Sequence, residues 1–257
     1  MKIIIIGSSG AMGRAIIRYA DSTQDIEIYA GLQKSPEKDE LFPVFYNFKE
    51  LTEYVAGQSI KPDLVIDFSS PSLTNELLQF VKEQQLPLLL ATTGLSDEQL
   101  SLVKDTSQYV PIFDTNNTSI GVAVVQKTIY QLTKTLYPLG YDIEIIEKHH
   151  RYKKDAPSGT ALMLLEAAQQ AIDETPTIIY GRSGIGEGRP HSEIAIHAIR
   201  GGDIVGEHTV LFANHHEVIE IKHQANNKEL FVQGAIACSE FLLQQTAGLY
   251  AMSDLMR

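Results

Sequence analysis

Over the first 115 residues, short apolar runs alternate with longer amphipathic stretches, the pattern of βα units laid on a parallel sheet. The runs Lys2–Ile6, Ile26–Ala30, Leu64–Asp67, Leu88–Ala91 and Pro111–Phe113 predict strands. Helices fit between them at Met12–Ala20, Lys49–Val55, Leu73–Glu83 and Asp97–Thr106. The last is opened by Ser96 with Gln99 three residues on, a capping-box pattern. The polar, proline-containing stretch Ser35–Phe48 reads as a surface loop.

The rhythm then changes. A long helical stretch, Val122–Leu136, leads into a strand-like run, Asp142–Glu147, and a helix over Gly159–Ile172 follows. Beyond a glycine-rich loop, Gly181–Arg189, come the strands Glu193–Ile199, Glu207–Phe212 and Val218–Lys222, and a final helix starting near Gly234. Strands grouped after a helix predict a second, α+β layer rather than more βαβ repeats.

With 257 residues, the chain holds one large domain or two modest ones at roughly 100–200 residues each. Hydrophobic residues make up 44% and charged residues 21%, which excludes a disordered tail. The net charge of −11 repels polyphosphate backbones, so a nucleic-acid partner is not expected. No apolar run approaches the roughly 18 residues of a membrane span, and the opening run stops at Gly7, too short for a secretory leader. The lone Cys238 cannot form an internal disulfide, which suits a reducing compartment, and a cytoplasmic location is the expectation.

The first chemical signal is Gly7-Ser8-Ser9-Gly10-Ala11-Met12-Gly13, where a strand hands over to a helix. The spacing is GxxGxxG rather than GxGxxG. Glycines here permit a tight turn, let backbone N–H groups approach a pyrophosphate and allow close helix–strand packing, while the helix start faces the phosphate charge. A plain strand-to-helix turn is the bland alternative. An NAD site expects an acid at the end of the second strand to hold the ribose 2′-OH. Gln33-Lys34 stands there instead. An amide lacks an acid's repulsion of a 2′-phosphate and Lys34 can pair with one, so NADPH should be accepted, unless Lys34 is simply a solvated loop residue. Two more strand ends, Asp67-Phe68-Ser69-Ser70 and Ala91-Thr92-Thr93-Gly94, fall at the same carboxyl edge of the sheet.

The second signal is Lys148–Lys154, with four permanent cations, two histidines and no acid, in an acidic protein. Such crowding needs an anion or surrounding carboxylates to offset it. Pro157-Ser158-Gly159-Thr160 then opens a helix whose N–H groups suit a carboxylate or phosphate. Two anion-holding devices within a dozen residues suggest a substrate with more than one carboxylate. His149 and His150 are adjacent, so on a strand their side chains diverge and one would serve chemistry, the other binding. For Lys148, Arg151 and Lys154 a solvated face is the plainer reading. A metal site is not expected: His149-His150 and His215-His216 lack ligand spacing, and no HExxH or CxxC occurs. His191, His197, His208 and His223 read as structural or surface residues. Ser158 lacks a GxSxG elbow, and Cys238 lies in an apolar stretch, so neither reads as a nucleophile.

The run Glu147-Lys148-His149-His150-Arg151-Tyr152-Lys153-Lys154-Asp155-Ala156-Pro157-Ser158-Gly159-Thr160-Ala161 resembles the E-x-H-H-x-x-K-x-D-A-P-S-G-T-A signature of the dihydrodipicolinate reductase family. Gly7–Gly13, Asp67-Phe68, Thr92-Thr93-Gly94, Asn117 with Ser119–Val122, and Arg200–His208 follow in the family's order, so the resemblance spans essentially the whole chain. It implies an α/β fold: a Rossmann dinucleotide-binding domain over 1–119 and 228–257, and an α+β substrate-binding and oligomerisation domain over 120–227. It also implies NADPH or NADH as reductant, a small dicarboxylate substrate and a homotetramer. By the same resemblance, His149 is the proton donor with Lys153 as catalytic companion, and His150, Ser158, Gly159 and Thr160 bind substrate. Cofactor contacts fall at Gly7, Ser8, Ser9, Gly10, Ala11, Met12, Lys34, Ala91, Thr92, Thr93, Thr115, Asn116, Asn117 and Thr118.

Some positions depart from the family pattern. Ala91 replaces the first glycine of the common G-T-T-G turn, Thr118 stands where an aromatic is often found, Ser70 occupies a frequently basic place and Gln33 replaces an acid. The catalytic stretch is intact. Two rival readings remain: another small Rossmann oxidoreductase such as an amino-acid dehydrogenase, and a nucleotide sensor that binds NAD(P)H without turnover. Both leave the HH-x-x-K and D-A-P-S-G-T-A stretch unexplained.

Overall fold

The computed structural model describes residues 1–34 and 41–256 and divides into two compact units, Met1–Ser119 with Glu229–Arg257, and Ile120–Lys228. The first unit is an open α/β layer. Its strands are β1 (Lys2–Ile6), β2 (Glu27–Leu32), β3 (Val44–Phe45), β4 (Leu64–Asp67), β5 (Leu88–Leu90) and β6 (Pro111–Asp114), joined near the chain end by Gly248–Tyr250. Its helices are α1 (Ala11–Asp21), α2 (Phe48–Gly57), α3 (Thr74–Gln84) and α4 (Asp97–Thr106), and Glu229–Leu242 returns to it from the far end. All pairings are parallel, in the order Gly248–Tyr250, β6, β5, β4, β1, β2, β3. That is the Rossmann order, with the direction of winding reversed between β1 and β4.

The strand residues sort by parity onto two faces. Ile4, Ile6, Val65, Leu88 and Leu90 pack with Leu51, Leu77, Phe80 and Val103 of α2, α3 and α4. Ile3, Ile5, Leu64, Ile66 and Leu89 pack with Ile16 of α1 and with Val232, Ile236 and Leu242. A sheet buried on both faces explains why its strands read as unbroken apolar runs.

The second unit has α5 (Ile120–Leu136), β7 (Asp142–His149), α6 (Gly159–Gln169), β8 (Thr177–Tyr180), β9 (Glu193–Arg200), β10 (Gly206–Ala213) and β11 (Val218–Ala225). The returning helix of the first unit is α7 (Glu229–Leu242), followed by β12 (Gly248–Tyr250) and α8 (Met252–Leu255). The five-stranded sheet runs β11-β10-β7-β9-β8, with β10 antiparallel to β7 and β11, and β9 parallel to β7 and β8. Ile143, Ile145, Ile194, Ile196, Val210 and Phe212 face Ile129 of α5 and Leu164, Leu165 and Ala168 of α6.

Several sequence expectations shift. The loop read over Ser35–Phe48 falls partly on residues 35–40, outside the described residues, and beyond them Val44–Phe45 adds a short edge strand and Phe48 already opens α2. β8 and β12 were not anticipated; each is an edge strand of four residues or fewer, too short for a periodic signal. β7 continues to His149, and α6 ends at Gln169, before Ile172. α7 begins at Glu229, five residues before Gly234, which lies inside the helix because the Thr118 carbonyl packs where its Cβ would be. Among the described residues no helix is long and apolar enough to cross a membrane.

Candidate active site

In the first unit the candidate nucleotide site lies at the carboxyl ends of β1, β2, β4 and β5. Gly7 leaves β1 with φ +86°, a conformation that disfavours a side chain, and a Cβ there would stand 2.6 Å from the Phe68 carbonyl oxygen. The turn therefore sits directly against the end of β4, at the switch point where open α/β sheets bind ligands. Gly10 caps α1 with no side-chain hydrogen bond, and Ala11 and Met12 begin the helix, so its leading N–H groups are left for an external acceptor.

Ser8 is buried and its hydroxyl donates to Gln33 Oε1 at 3.1 Å, while Gln33 Nε2 is buried without a hydrogen-bond partner. A buried, unspent amide donor at the end of β2 fits a ribose oxygen or a 2′-phosphate. Lys34 is exposed beside it, and Ser9 holds Arg14 Nε at 3.2 Å through its carbonyl.

Ala91 donates its N–H to the Asp67 carbonyl at 3.0 Å, and Thr92 Oγ1 accepts from Ser69 N at 3.0 Å, knitting the ends of β4 and β5. Thr93 and Asn116 are exposed at this edge. Thr115 and Asn117 are bound to each other, Thr115 Oγ1 donating to the Asn117 carbonyl at 2.8 Å. Thr118 is buried and its hydroxyl donates to the Phe231 carbonyl of α7 at 2.7 Å, so a cofactor contact there would be made through its backbone.

In the second unit, alternation along β7 decides which side chains meet. Ile143, Ile145, Glu147 and His149 share the buried face, whereas Glu144, Ile146 and Lys148 lie on the other. The same face carries His208 on β10, opposite Glu147, Gly206 two residues before it, against His149, and Arg200 on β9, registered with His149. At this end of the sheet the apolar layer gives way to a polar one beside the start of α6.

Glu147 is wholly buried and accepts four hydrogen bonds: from His149 Nδ1 at 2.6 Å, from Ser158 N at 3.0 Å, and from Arg200 Nη1 and Nη2 at 2.7 Å each. Ser158 caps α6 by accepting from Ala161 N at 3.2 Å, and its hydroxyl lies 2.9 Å from His208 Nε2. Ser158 thus spends its hydroxyl inside the protein. Gly159 and Thr160 form the first turn of α6, where N–H groups suit a carboxylate.

Burial lowers the His149 pKa from its usual value near 6.5; the opposing pull of Glu147 is outweighed, with Lys153 and Arg200 adding to the depression. Burial, helped by the proximity of His149, takes His208 down to about 4, so it is neutral at pH 7. The two rings meet edge-on, 5.1 Å between centroids.

The basic cluster does not act as one patch. Lys148 points to the other face and pairs with Glu207 at 3.4 Å, Arg151 and Lys154 are exposed, and Lys153 pairs with Asp155 at 2.9 Å. Carboxylates therefore offset part of the crowding, one of the two means that the sequence left open. His150 sits just past the strand end, its Nδ1 buried without a partner, apart from the Glu147 cluster. Sequence reasoning missed Glu147, Arg200 and His208 as members of the site. Strict alternation along β7 was the available signal for Glu147; the other two arrive from β9 and β10 through pairing. Among the described residues no group of three or more His, Cys, Asp or Glu is placed to hold a metal ion.

A Rossmann-ordered sheet with an open glycine turn, together with a buried histidine–carboxylate cluster at a helix start, defines an NAD(P)H-dependent oxidoreductase of two-unit α/β build. Family models described as dihydrodipicolinate reductase match both parts, the N-terminus over residues 1–118 and the C-terminus over residues 121–256, and the chain belongs to that family. It is 44% identical to the 4-hydroxy-tetrahydrodipicolinate reductase of Clostridium tetani over 256 residues, covering 100% of this chain and 97% of the relative. It is 42% identical to the enzyme of that name from Caldanaerobacter subterraneus over 257 residues, covering 100% and 98%. Its fold matches a dipicolinate-bound dihydrodipicolinate reductase from Paenisporosarcina with a TM-score of 0.80 at 21% identity, over 98% of this chain and 97% of that one.

Proposed function

We propose that this chain reduces 4-hydroxy-tetrahydrodipicolinate to tetrahydrodipicolinate, with loss of water, in diaminopimelate and lysine biosynthesis. The observation that carries the reading is the Glu147–His149 pair beside the start of α6, in a chain 44% identical over its whole length to a reductase of that name. The bound nicotinamide supplies the hydride, received at carbon four of the substrate once loss of the hydroxyl has created a conjugated system. His149 supplies the balancing proton, assisted by Lys153. Gly159 and Thr160 hold one substrate carboxylate at the start of α6, and Lys153 exchanges Asp155 for the other, with His150 alongside. Gly7 to Met12 cradle the dinucleotide phosphates, and Gln33 and Lys34 face the adenosine ribose.

A dianionic substrate also prepares the acid. Its charge offsets Lys153 and Arg200 and raises the His149 pKa, so the imidazolium is favoured when there is substrate to protonate. The enzyme is assigned to the cytoplasm, in line with a single buried cysteine, and to a homotetramer assembled through the second unit.

The test follows NADPH and NADH oxidation with substrate generated in situ by a coupled synthase, comparing wild type with Lys153→Ala. Turnover that collapses in the variant while NADPH binding, followed by nicotinamide fluorescence, survives supports the reaction and the site. Tight nucleotide binding with no turnover in wild type favours the sensor reading. NADPH used at least as well as NADH supports the Gln33–Lys34 assignment.

A further inference from the structure

Glu147 accepts four hydrogen bonds in the cluster, and the chemistry proposed above gives it no step of its own. Its carboxylate takes the fork of Arg200 on both oxygens, His149 Nδ1 on Oε2 and Ser158 N on Oε1. We propose that Glu147 and Arg200 form a positioning pair that fixes the tautomer and aim of His149, so that Nε2 is the atom presented to the substrate. The proposal rests on the reading of His149 as the proton donor.

Burial alone would raise the Glu147 pKa, but the hydrogen bonds from Arg200, His149 and Ser158 prevail and it is lowered, so the group is charged at neutral pH. A carboxylate only accepts hydrogen bonds. The 2.6 Å contact therefore requires the proton on Nδ1 of His149, which leaves Nε2 as the nitrogen that gains and gives up a proton.

The opposite strand is shaped to match. Gly206 lies beside Nε2, and a Cβ at that position would stand 3.1 Å from it. With no side chain there, Nε2 is left uncovered on that side.

The remaining groups around the ring define what Glu147 does electrostatically. Lys153 and Arg200 disfavour the imidazolium, and His208 is neutral, its Nε2 engaged with Ser158 Oγ. Glu147 is thus the neighbour whose charge favours protonated His149. Arg200 extends the device, because Nη2 also donates to the Asp155 carbonyl at 2.6 Å, and Asp155 in turn holds Lys153. One guanidinium thereby ties the strand of the acid to the turn that carries its companion lysine. Glu147 and Arg200 touch neither substrate nor cofactor in this account, and both act through His149 and the turn.

The experiment compares wild type with Glu147→Gln in the full-length enzyme, by kcat and KM across pH and by imidazole nitrogen NMR of histidine-labelled protein without substrate. Gln can keep Arg200 Nη2 and Ser158 N on its oxygen while turning its NH2 to Nδ1, which gives up the Arg200 Nη1 bond and reverses the tautomer. The expected result is a fall in kcat of about 10–100-fold, as when the outer partner of a functional histidine is lost. KM stays within about threefold on the same view that binding groups are untouched. The alkaline limb of the kcat profile moves to lower pH, and the His149 signals change from the Nδ1–H to the Nε2–H form. Unchanged tautomer and unchanged limb overturn the proposal, whatever the loss in kcat. Should Glu147→Gln fail to fold, Gly206→Ala tests the same geometry: kcat falls while His149 keeps its Nδ1–H form, and wild-type kcat in that variant overturns it. The NMR reading needs no turnover, so it stands apart from failure of the proposed reaction.

Discussion

His149→Gln lowers kcat by about 10²–10⁴-fold, the contribution usual for a general acid, with NADPH affinity unchanged. The variant keeps a side chain of similar length that can still bond Glu147, so the buried carboxylate is not stranded. The pH profiles of the wild type carry the second half of the expectation. A proton donor at His149 must be protonated to act, and in the free protein burial holds its pKa below the usual value. The profile of kcat/KM, which reports the free enzyme, therefore falls as pH rises through a value below about 6.5. The profile of kcat, which reports the complex, falls at a higher pH because the bound dianion favours the imidazolium. In His149→Gln both limbs disappear. Retention of the wild-type rate in this variant, or identical limbs in the two wild-type profiles, contradicts the role.

Gly13→Ala weakens nucleotide binding. Gly13 lies in the first turn of α1, and a Cβ there would overlap the Gly7 carbonyl oxygen and stand 2.8 Å from both Ser8 Cα and Ser8 O. All three are backbone atoms of the very turn assigned to the dinucleotide, so relief requires the turn itself to move. Overpacking of this kind costs about 1–3 kcal/mol of stability. The Kd for NADPH, by fluorescence titration, rises about tenfold or more. Gly57→Ala is the control, since nothing lies within 4 Å of its Cβ position at the end of α2. Equal NADPH affinity in the two variants would remove the Gly7–Gly13 turn from the cofactor site.

The strands of the first unit were legible because the sheet is covered on both faces. Ile3–Ile6 and Leu88–Leu90 are wholly buried, so nothing polar interrupts them. β3, β8 and β12 escaped notice because edge strands of two to four residues carry too little pattern to separate from loop. Gly234 misled for a related reason: a glycine was read as a boundary, whereas close packing against Thr118 selects it inside α7.

At the site, the linear signature contained His149, Lys153, Ser158 and Glu147, but a run of sequence does not show partners from other strands. Glu207 on β10, shared with Lys222, partly offsets Lys148, Arg200 clamps Glu147 from β9, and His208 reaches Ser158 from β10. Part of the offset that charge crowding called for thus comes from carboxylates elsewhere in the fold. Only strand register, which aligns His149 with Arg200 and Glu147 with His208, turns a list of charged residues into a site.

The most direct measurement follows a deuterium label from NADPH, deuterated at the transferable position, into the product formed from synthase-generated substrate. Mass spectrometry of the resulting dicarboxylate should show one added deuterium per NADPH consumed, at carbon four. NADPH consumed with no label in that product, or at a rate independent of the synthase, would contradict the assigned reaction.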